Sequence, residues 1–305
     1  MKTAAIGIDI GGTRTKMGLV NLHTGEVLRM LVFDTKKKSA SAFETSLHDN
    51  INILAGELPA GLQLAGVGIG VSGFVFENGT VDSTYGFLEF MEDYPLAAII
   101  EKKHQIFCRI DNDARLVALG EAVYGIGKDY ERVLMLTLGT GVGVGGVVGQ
   151  ALDGRLPFAH MAGHMKVATS DVTCYCGKTG CLEALVSASG ITALAARVYD
   201  QQNLSESPGD CEQIFNAALA GHKPAVDIIN QVTAYLRSGI ANYINIYAPD
   251  VIILGGGVAK GLKNRLASLH EPGLLGPYKG YHTKIVLSEL EEQAGILGAA
   301  LLFKP

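Results

Sequence analysis

Apolar positions along the chain keep two spacings. Short runs dense in Ile, Val, Leu and Gly predict strands: TAAIGIDI, TKMGLVNL and EVLRMLVFD near the start, with the glycines of DIGGTRTK as the turn between the first two. LQLAGVGIGVSG reads as a buried strand running into a glycine loop, and QIFCRIDND as a strand ending in acids. Between them, residues 41–57 carry apolar positions at helical spacing, PLAAIIEKKH is a helix with proline near its start, and ARLVALGEAVYG is another. The second half repeats the opening grammar with RVLMLTLG, TGVGVG and GVVGQAL. Helices are then expected over 183–200, 211–220 and 223–247, the last with one apolar face. DVIILGGGV breaks a buried strand against three glycines, and the chain closes with a strand, TKIVLS, and a helix, QAGILGAALLF.

A strand, glycine turn, strand unit present twice predicts two similar lobes facing each other across a cleft. Length and composition agree: 305 residues at 48% hydrophobic content suffice for a large core in two lobes. The net charge of −5 and the scatter of Lys and Arg argue against a nucleic-acid surface, and the one basic run, Lys36 to Lys38, reads as a solvated loop or helix start. The first residues lack the apolar core and cleavage site of a secretory signal, and no apolar stretch reaches the roughly 20 residues that span a bilayer. A cytoplasmic protein with no membrane partner is expected.

That setting bears on the cysteines. Three of five fall within eight positions, in CYCGKTGC. A reducing compartment and an odd count disfavour a disulfide framework, so Cys174, Cys176 and Cys181 read as ligands of one metal ion, zinc by donor type. The glycines of GKTG supply the sharp reversal that lets the thiolates converge. A tetrahedral ion needs a fourth ligand: His164, ten residues upstream of Cys174, or its competitor His160. Cys108 and Cys211 read as packing or surface residues.

Glycine turns have a chemistry of their own, since successive backbone N–H groups form a concavity for phosphate oxygens. In GIDIGGTRTK the candidates are Gly11, Gly12, Thr13 and Lys16, with Asp9 placed to hold magnesium through water. Gly139, Thr140 and Gly141 form a second cradle, and Gly255, Gly256 and Gly257 a third surface against which a base or ribose can lie. The dinucleotide pattern G-x-G-x-x-G is missing after the first strand. The triplet Asp111, Asn112, Asp113 at a helix start has two readings, an N-cap or an acid–base site. Glu183, just after the last clustered cysteine, reads by itself as a charge at the positive end of a helix.

Taken together, GIDIGGTRTKMGLV, DNDARLVALGE, LTLGTGVGVGG, CYCGKTGCLE and INIYAPDVIILGGGV resemble the ROK family of bacterial sugar kinases, from about residue 3 to residue 303. The resemblance implies an α/β fold of two ribonuclease H-like (actin-like ATPase) lobes around a central cleft. Lobe one is expected over 1–118 with the last helix, 292–303, returning to it, and lobe two over 119–291. It implies ATP-dependent phosphorylation of a hexose or hexose derivative at its 6-hydroxyl, with ATP and Mg2+. Asp113 would be the general base, Asn112 a sugar ligand, and Ser72 and Gly73 part of the loop lining the site; Asp111 stays unassigned. It implies structural Zn2+ on His164, Cys174, Cys176 and Cys181, holding a turn so that Glu183 and His164 face the sugar. A homodimer is common in the family.

Some members are sugar-responsive repressors instead. Those carry a helix-turn-helix domain ahead of the first phosphate loop, and eight residues precede Asp9 here, so the kinase branch is expected and a non-catalytic sugar sensor is the alternative.

The sequence departs from the family at two places. Where the family has a glutamate three residues before the zinc histidine, this chain has Met161, with His160 before it, and the preceding DGRLPF is also atypical. Methionine is a poor acceptor for a sugar hydroxyl. Either the substrate is a deoxy, substituted or differently configured sugar, or the protein senses rather than phosphorylates; the intact Asp113, Asn112, Glu183 and phosphate loops favour the first. In STYGFLEFMEDY, Tyr85 and Gly86 stand where the family has a sugar-contacting asparagine, and Tyr85, Phe87 and Phe90 are either core or an apolar wall for ligand.

Overall fold

The computed structural model describes residues 2–76, 78–82, 88–152, 159–204, 209–269 and 282–304, without the side chains of Glu89, Ala159 and His160. Tyr85, Gly86, Phe87, the segment DGRLPF and the His160 side chain, all singled out above, lie outside the described set.

In chain order the elements are β1 (Lys2–Ile10), β2 (Arg14–Asn21), β3 (Val27–Asp34), α1 (Ala40–Gly56), β4 (Leu62–Val71), β5 (Phe74–Val75), β6 (Val81–Asp82), α2 (Leu96–His104), β7 (Cys108–Asn112) and α3 (Asp113–Tyr124). There follow β8 (Arg132–Leu138), β9 (Val142–Val148), β10 (Ala151–Leu152), α4 (Leu182–Val186), α5 (Ala188–Gln201), α6 (Cys211–Leu219) and α7 (Lys223–Tyr247). The last are β11 (Val251–Gly255), α8 (Gly257–Gly261), α9 (Leu266–Leu269), β12 (Lys284–Leu287) and α10 (Ala294–Leu301).

The strand orders are β3-β2-β1-β4-β7 and β10-β9-β8-β11-β12, the same succession twice. Antiparallel pairing joins β1 to β2 and β2 to β3, then β4 and β7 add in parallel. In the second sheet β11 lies parallel to both β8 and β12, and β10 folds back on β9. The repeated grammar of the sequence thus corresponds to a repeated topology.

The chain divides into two compact units, residues 1–129, 145–158 and 289–305 in one and 130–144 and 159–288 in the other. A boundary at 118 falls inside α3, whose backbone bonding carries it unbroken to Tyr124, so the division comes after the helix. Residues 145–158, expected with the second lobe, group with the first unit.

In the first unit the two faces of the central strands differ in kind. On β1 the residues Ile6, Ile8 and Ile10, and on β4 the residues Val67, Ile69 and Val71, point to one face, where α1 and α2 contribute Phe43, Leu47, Leu96 and Ile100 to a fully buried cluster. Alternation sends Gly7 of β1 and Gly68 of β4 to the opposite face. There a Cβ on Gly7 would overlap the carbonyl of Ile296, and one on Gly68 that of Ala299, both on α10. Gly298 meets the Leu116 carbonyl of α3, and Gly120 of α3 that of Ala294, in the same way. Strand face, α3 and α10 therefore pack backbone to backbone, and any side chain at these four glycines would force them apart. Glu121, fully buried on α3, closes the assembly by accepting from the N–H of Leu290 at 3.2 Å and of Ile126 at 3.3 Å.

The second unit's core runs along α7, whose buried Ile228, Ile229, Val232, Leu236, Ile240 and Tyr243 recur every three or four residues and pack with Leu134, Leu136, Ile252 and Leu254 of the strands. The single helix expected over 183–200 is two, α4 and α5, separated at Ser187. Ser187 takes an extended backbone and its Oγ accepts from the N–H of Gly190, capping α5. Among the described residues no helix is long and apolar enough to cross a membrane. Lys36 to Lys38 lie exposed in the loop before α1, Cys108 is buried, and Cys211 opens α6 half-buried.

Candidate active site

The candidate residues fall into two sets, one in each unit. Those of the first unit gather at the carboxyl ends of the parallel strands β1, β4 and β7, the edge at which open α/β sheets receive ligands. Asp9 is next to last in β1, Ser72 and Gly73 follow β4, and Asn112 ends β7, with Asp9 opposite Gly70 and Val71 opposite Asn112 in the pairing register.

Asn112 caps α3. Its Oδ1 accepts from the N–H of Ala114 at 3.0 Å and of Arg115 at 3.2 Å, and its Nδ2 donates to the Gly73 carbonyl at 3.0 Å. The capping reading of the acidic triplet therefore holds for Asn112, and leaves Asp113 as the first residue of the helix. Asp111 is bound to Arg115, whose Nε donates to its Oδ1 at 2.8 Å, so this carboxylate belongs to the architecture. Asp113 accepts from the Ala114 N–H at 2.8 Å. Burial, with the charge of Asp9 second, pushes the Asp113 carboxyl up to about 6.

Asp9 is also raised above the ordinary carboxylate range, by burial first and against the pull of Lys16, which stands opposite it across the β1/β2 register. Lys16 Nζ lies 3.9 Å from Oε2 of Glu292. In the turn between β1 and β2, the Gly11 N–H donates to the Arg14 carbonyl at 3.1 Å. Thr35, which sequence reasoning did not select, takes the carbonyl of Gly11 through its hydroxyl at 2.7 Å and that of Thr13 through its N–H at 3.0 Å.

In the second unit the two glycine loops leave the carboxyl ends of the adjacent strands β8 and β11, where Gly255 pairs with Thr137. A Cβ on Gly256, whose φ is +90°, would overlap the Leu138 carbonyl, so the two loops meet at backbone distance. Gly256 and Gly257 are exposed. The turn at Gly139–Gly141 is tighter than the expected TGVGVG loop, since β9 begins at Val142. Its carbonyls are anchored to the start of α5: Ala188 N–H donates to Gly139 at 2.8 Å and Ser189 Oγ to Thr140 at 2.9 Å. That tether is why the chain breaks at Ser187. Ser189 carried no signal in the sequence.

Ligand atoms of His164, Cys174, Cys176 and Cys181 all lie within 4.8 Å of one another. Sulfurs of Cys176 and Cys181 are 3.7 Å apart, and Cys174 Sγ is 3.5 Å from His164 Nδ1. Two sulfurs each about 2.3 Å from a shared tetrahedral ion stand ~3.8 Å apart, so the donor set has the spacing a closed zinc site requires. The loop is held in this form by the backbone: Cys174 N–H donates to Lys178 at 2.8 Å, Gly177 to Cys174 at 2.9 Å and Val167 to Gly180 at 3.0 Å. Gly177 and Gly180 have φ of +82° and +75°, the left-handed conformations for which GKTG supplies glycine. Tyr243 of α7 donates to the Ala162 carbonyl at 2.9 Å and so fixes the 3-10 turn that ends at His164. Met161 is exposed on that turn.

Glu183, in the first turn of α4, is buried, and its Oε2 accepts from the Val142 N–H at 3.1 Å. One carboxylate thus joins the cysteine loop to the strand that follows the Gly139–Gly141 turn. Tyr175 lies beside it, with Oη 3.0 Å from His164 Nε2. Sequence reasoning missed Tyr175, since one aromatic between two cysteines forms no pattern.

A model of the ROK family matches residues 5–305. A glucokinase of Thermotoga maritima is 33% identical over 99% of this chain and 98% of its own length. A xylose repressor of Caldicellulosiruptor bescii is 27% identical over 96% of this chain and 76% of its own length. The structure of a ROK family glucokinase from Streptomyces griseus in complex with glucose and AMPPNP is 26% identical, has a TM-score of 0.80 and is matched over 98% of each chain. With the duplicated sheet topology and the cysteine loop in place, the chain belongs to the ROK family.

Proposed function

We propose that this protein transfers the terminal phosphoryl group of ATP to a hydroxyl of a hexose or hexose derivative, the 6-hydroxyl in the first instance, with Asp113 as general base. The observation that carries the reading is Asp113 itself, a carboxylate at the mouth of a parallel sheet with its pKa lifted to about 6 by burial and by Asp9. Such a group is ionised at neutral pH yet basic enough to take a proton, as a general base has to be. The substrate oxygen attacks the γ-phosphorus as its proton passes to Asp113, the bond from phosphorus to the bridging oxygen breaks, and ADP leaves.

Magnesium with ATP is part of the reading, and supplies charge neutralisation on the phosphates. Asp9 would hold it through water. Backbone N–H groups at Gly11, Gly12 and Thr13, at Gly139, Thr140 and Gly141, and the bare surface of Gly255, Gly256 and Gly257 are assigned to the nucleotide, together with Lys16. The sugar is assigned to Asn112, Ser72, Gly73, Glu183 and His164. For Asn112 this leaves the amide hydrogen not given to Gly73. His164, Cys174, Cys176 and Cys181 would hold zinc, which in a four-ligand site has no open position and serves to fix the loop. The reading extends to a cytoplasmic homodimer.

Glucose is named for some relatives of this chain, and N-acetylgalactosamine and N-acetylmannosamine for others. Met161 in place of an acidic residue supports a substrate with a hydroxyl altered or absent. It also supports the second reading, a sugar sensor without turnover, as does the likeness to a repressor. Assay with Mg·ATP against glucose, mannose, N-acetylated hexosamines and β-glucosides separates them. Turnover of one sugar that Asp113→Asn abolishes supports the kinase; sugar binding without turnover of any supports the sensor.

A further inference from the structure

The residue between the first two cysteines ties up one of the groups assigned to the sugar. Tyr175 places Oη 3.0 Å from His164 Nε2, with its ring edge-on to the imidazole at a centroid distance of 5.0 Å and an angle of 86°. An imidazole nitrogen offers one in-plane hydrogen-bonding position. With Nδ1 of His164 turned to the sulfur cluster, 3.5 Å from Cys174 Sγ, Nε2 is the ring's remaining polar site, and Tyr175 fills it. The phenol oxygen thus occupies the position on His164 where a sugar hydroxyl is to bind. Tyr175 is nonetheless 57% exposed, so its ring has solvent to turn into.

We propose that Tyr175 sets the affinity of the sugar site, its hydroxyl occupying the place of a substrate hydroxyl at His164 Nε2 until the sugar displaces it. The inference rests on the assignment of His164 to the sugar. Displacement exchanges one set of hydrogen bonds for another. The sugar has to displace the phenol from Nε2 before its own hydroxyl can bond there, so the Tyr175 hydroxyl weakens binding of every sugar that uses His164.

Tyr175→Phe removes Oη and keeps the ring against His164. On the sugar turned over best among glucose, mannose and N-acetylglucosamine, KM is expected to fall about three- to tenfold with kcat within about twofold. The calorimetric dissociation constant of that sugar without nucleotide should fall in proportion. An unchanged or raised KM overturns the proposal, leaving Oη as a structural group or a direct sugar contact. Tyr175→Leu, measured the same way, carries the same expectation should the Phe variant lose its fold. Failure of the kinase reading shows separately, as wild-type protein that binds a sugar without turnover, and the dissociation constants of wild type and Tyr175→Phe then still decide the proposal.

Discussion

A methyl group on Gly295 would stand 2.9 Å from Cγ of Asp9 and 3.0 Å from its Oδ2, because the carboxylate rests on the bare Cα at the start of α10. Position 295 thus sets where the Asp9 charge points. Gly295→Ala is expected to turn that carboxylate aside, raise the magnesium concentration needed for half-maximal rate and lower kcat at least about tenfold, at a stability cost of about 1–3 kcal/mol. Rate against magnesium at saturating ATP, with urea unfolding alongside, checks both parts. An unaltered magnesium dependence would remove Asp9 from the metal's neighbourhood.

Asp113 gives a pH profile with a definite sign. As a base it works ionised, so kcat/KM should rise tenfold per unit up to about pH 6 and level off above it. Stability runs the other way. The folded carboxyl binds its proton more tightly than the unfolded one at about 3.9, so its contribution is fully present below pH 4 and lost as pH rises through about 6. Asp113→Asn should therefore abolish turnover, by about 100-fold or more, and stabilise the protein by on the order of 2 kcal/mol at pH 7. A variant that is both inactive and less stable at pH 7 than wild type would count against a strained base at this position.

Glu183 does two jobs that two substitutions separate. Glu183→Gln keeps an oxygen for the Val142 N–H and loses the charge, so melting should change by less than about 1 kcal/mol while KM for the sugar rises at least about tenfold. Glu183→Ala leaves that buried N–H unpaired and should cost a further 1–3 kcal/mol or about that. Equal sugar affinity for wild type and the Gln variant would assign the carboxylate to structure alone.

Purified protein should carry about one equivalent of zinc by elemental analysis, and chelation or Cys181→Ser should release it. Loss of the ion is expected to lower Tm by roughly 5–15 °C and to raise KM for the sugar more than KM for ATP, because the ligand His164 is also assigned to the sugar and the loop leads into Glu183. Full sugar affinity in metal-free protein would detach the cluster from the site.

The elements were legible where a local rule decides them. TAAIGIDI and LQLAGVGIGV announce strands by alternation, and CYCGKTGC announces convergent ligands by donor type and glycine placement. What stayed hidden was set by distant partners. The glycines of β1 and β4 form the face that admits α10, some 290 residues from β1 in the sequence, and nothing local names that partner. Serine is tolerated inside helices, so residues 183–200 read as one helix. Ala188 and Ser189 bond the Gly139–Gly141 turn, and that tertiary demand divides it. Asn112 and Asp113 show a different limit: cap and acid are rival readings of one triplet, and the fold gives the cap to one residue and leaves the other's carboxylate with a raised pKa.

The position of α10 in the chain has a consequence for biosynthesis. The glycine face of β1 and β4 emerges early from the ribosome, whereas the helix that covers it is made only after the whole second unit. At roughly 5–20 residues per second, the segment from 129 to 294 occupies about 10–30 s of translation, during which that face lacks its native cover. The first unit to be synthesised is thus the last to be finished, and in the nascent chain this sheet face stays without its helix for most of synthesis.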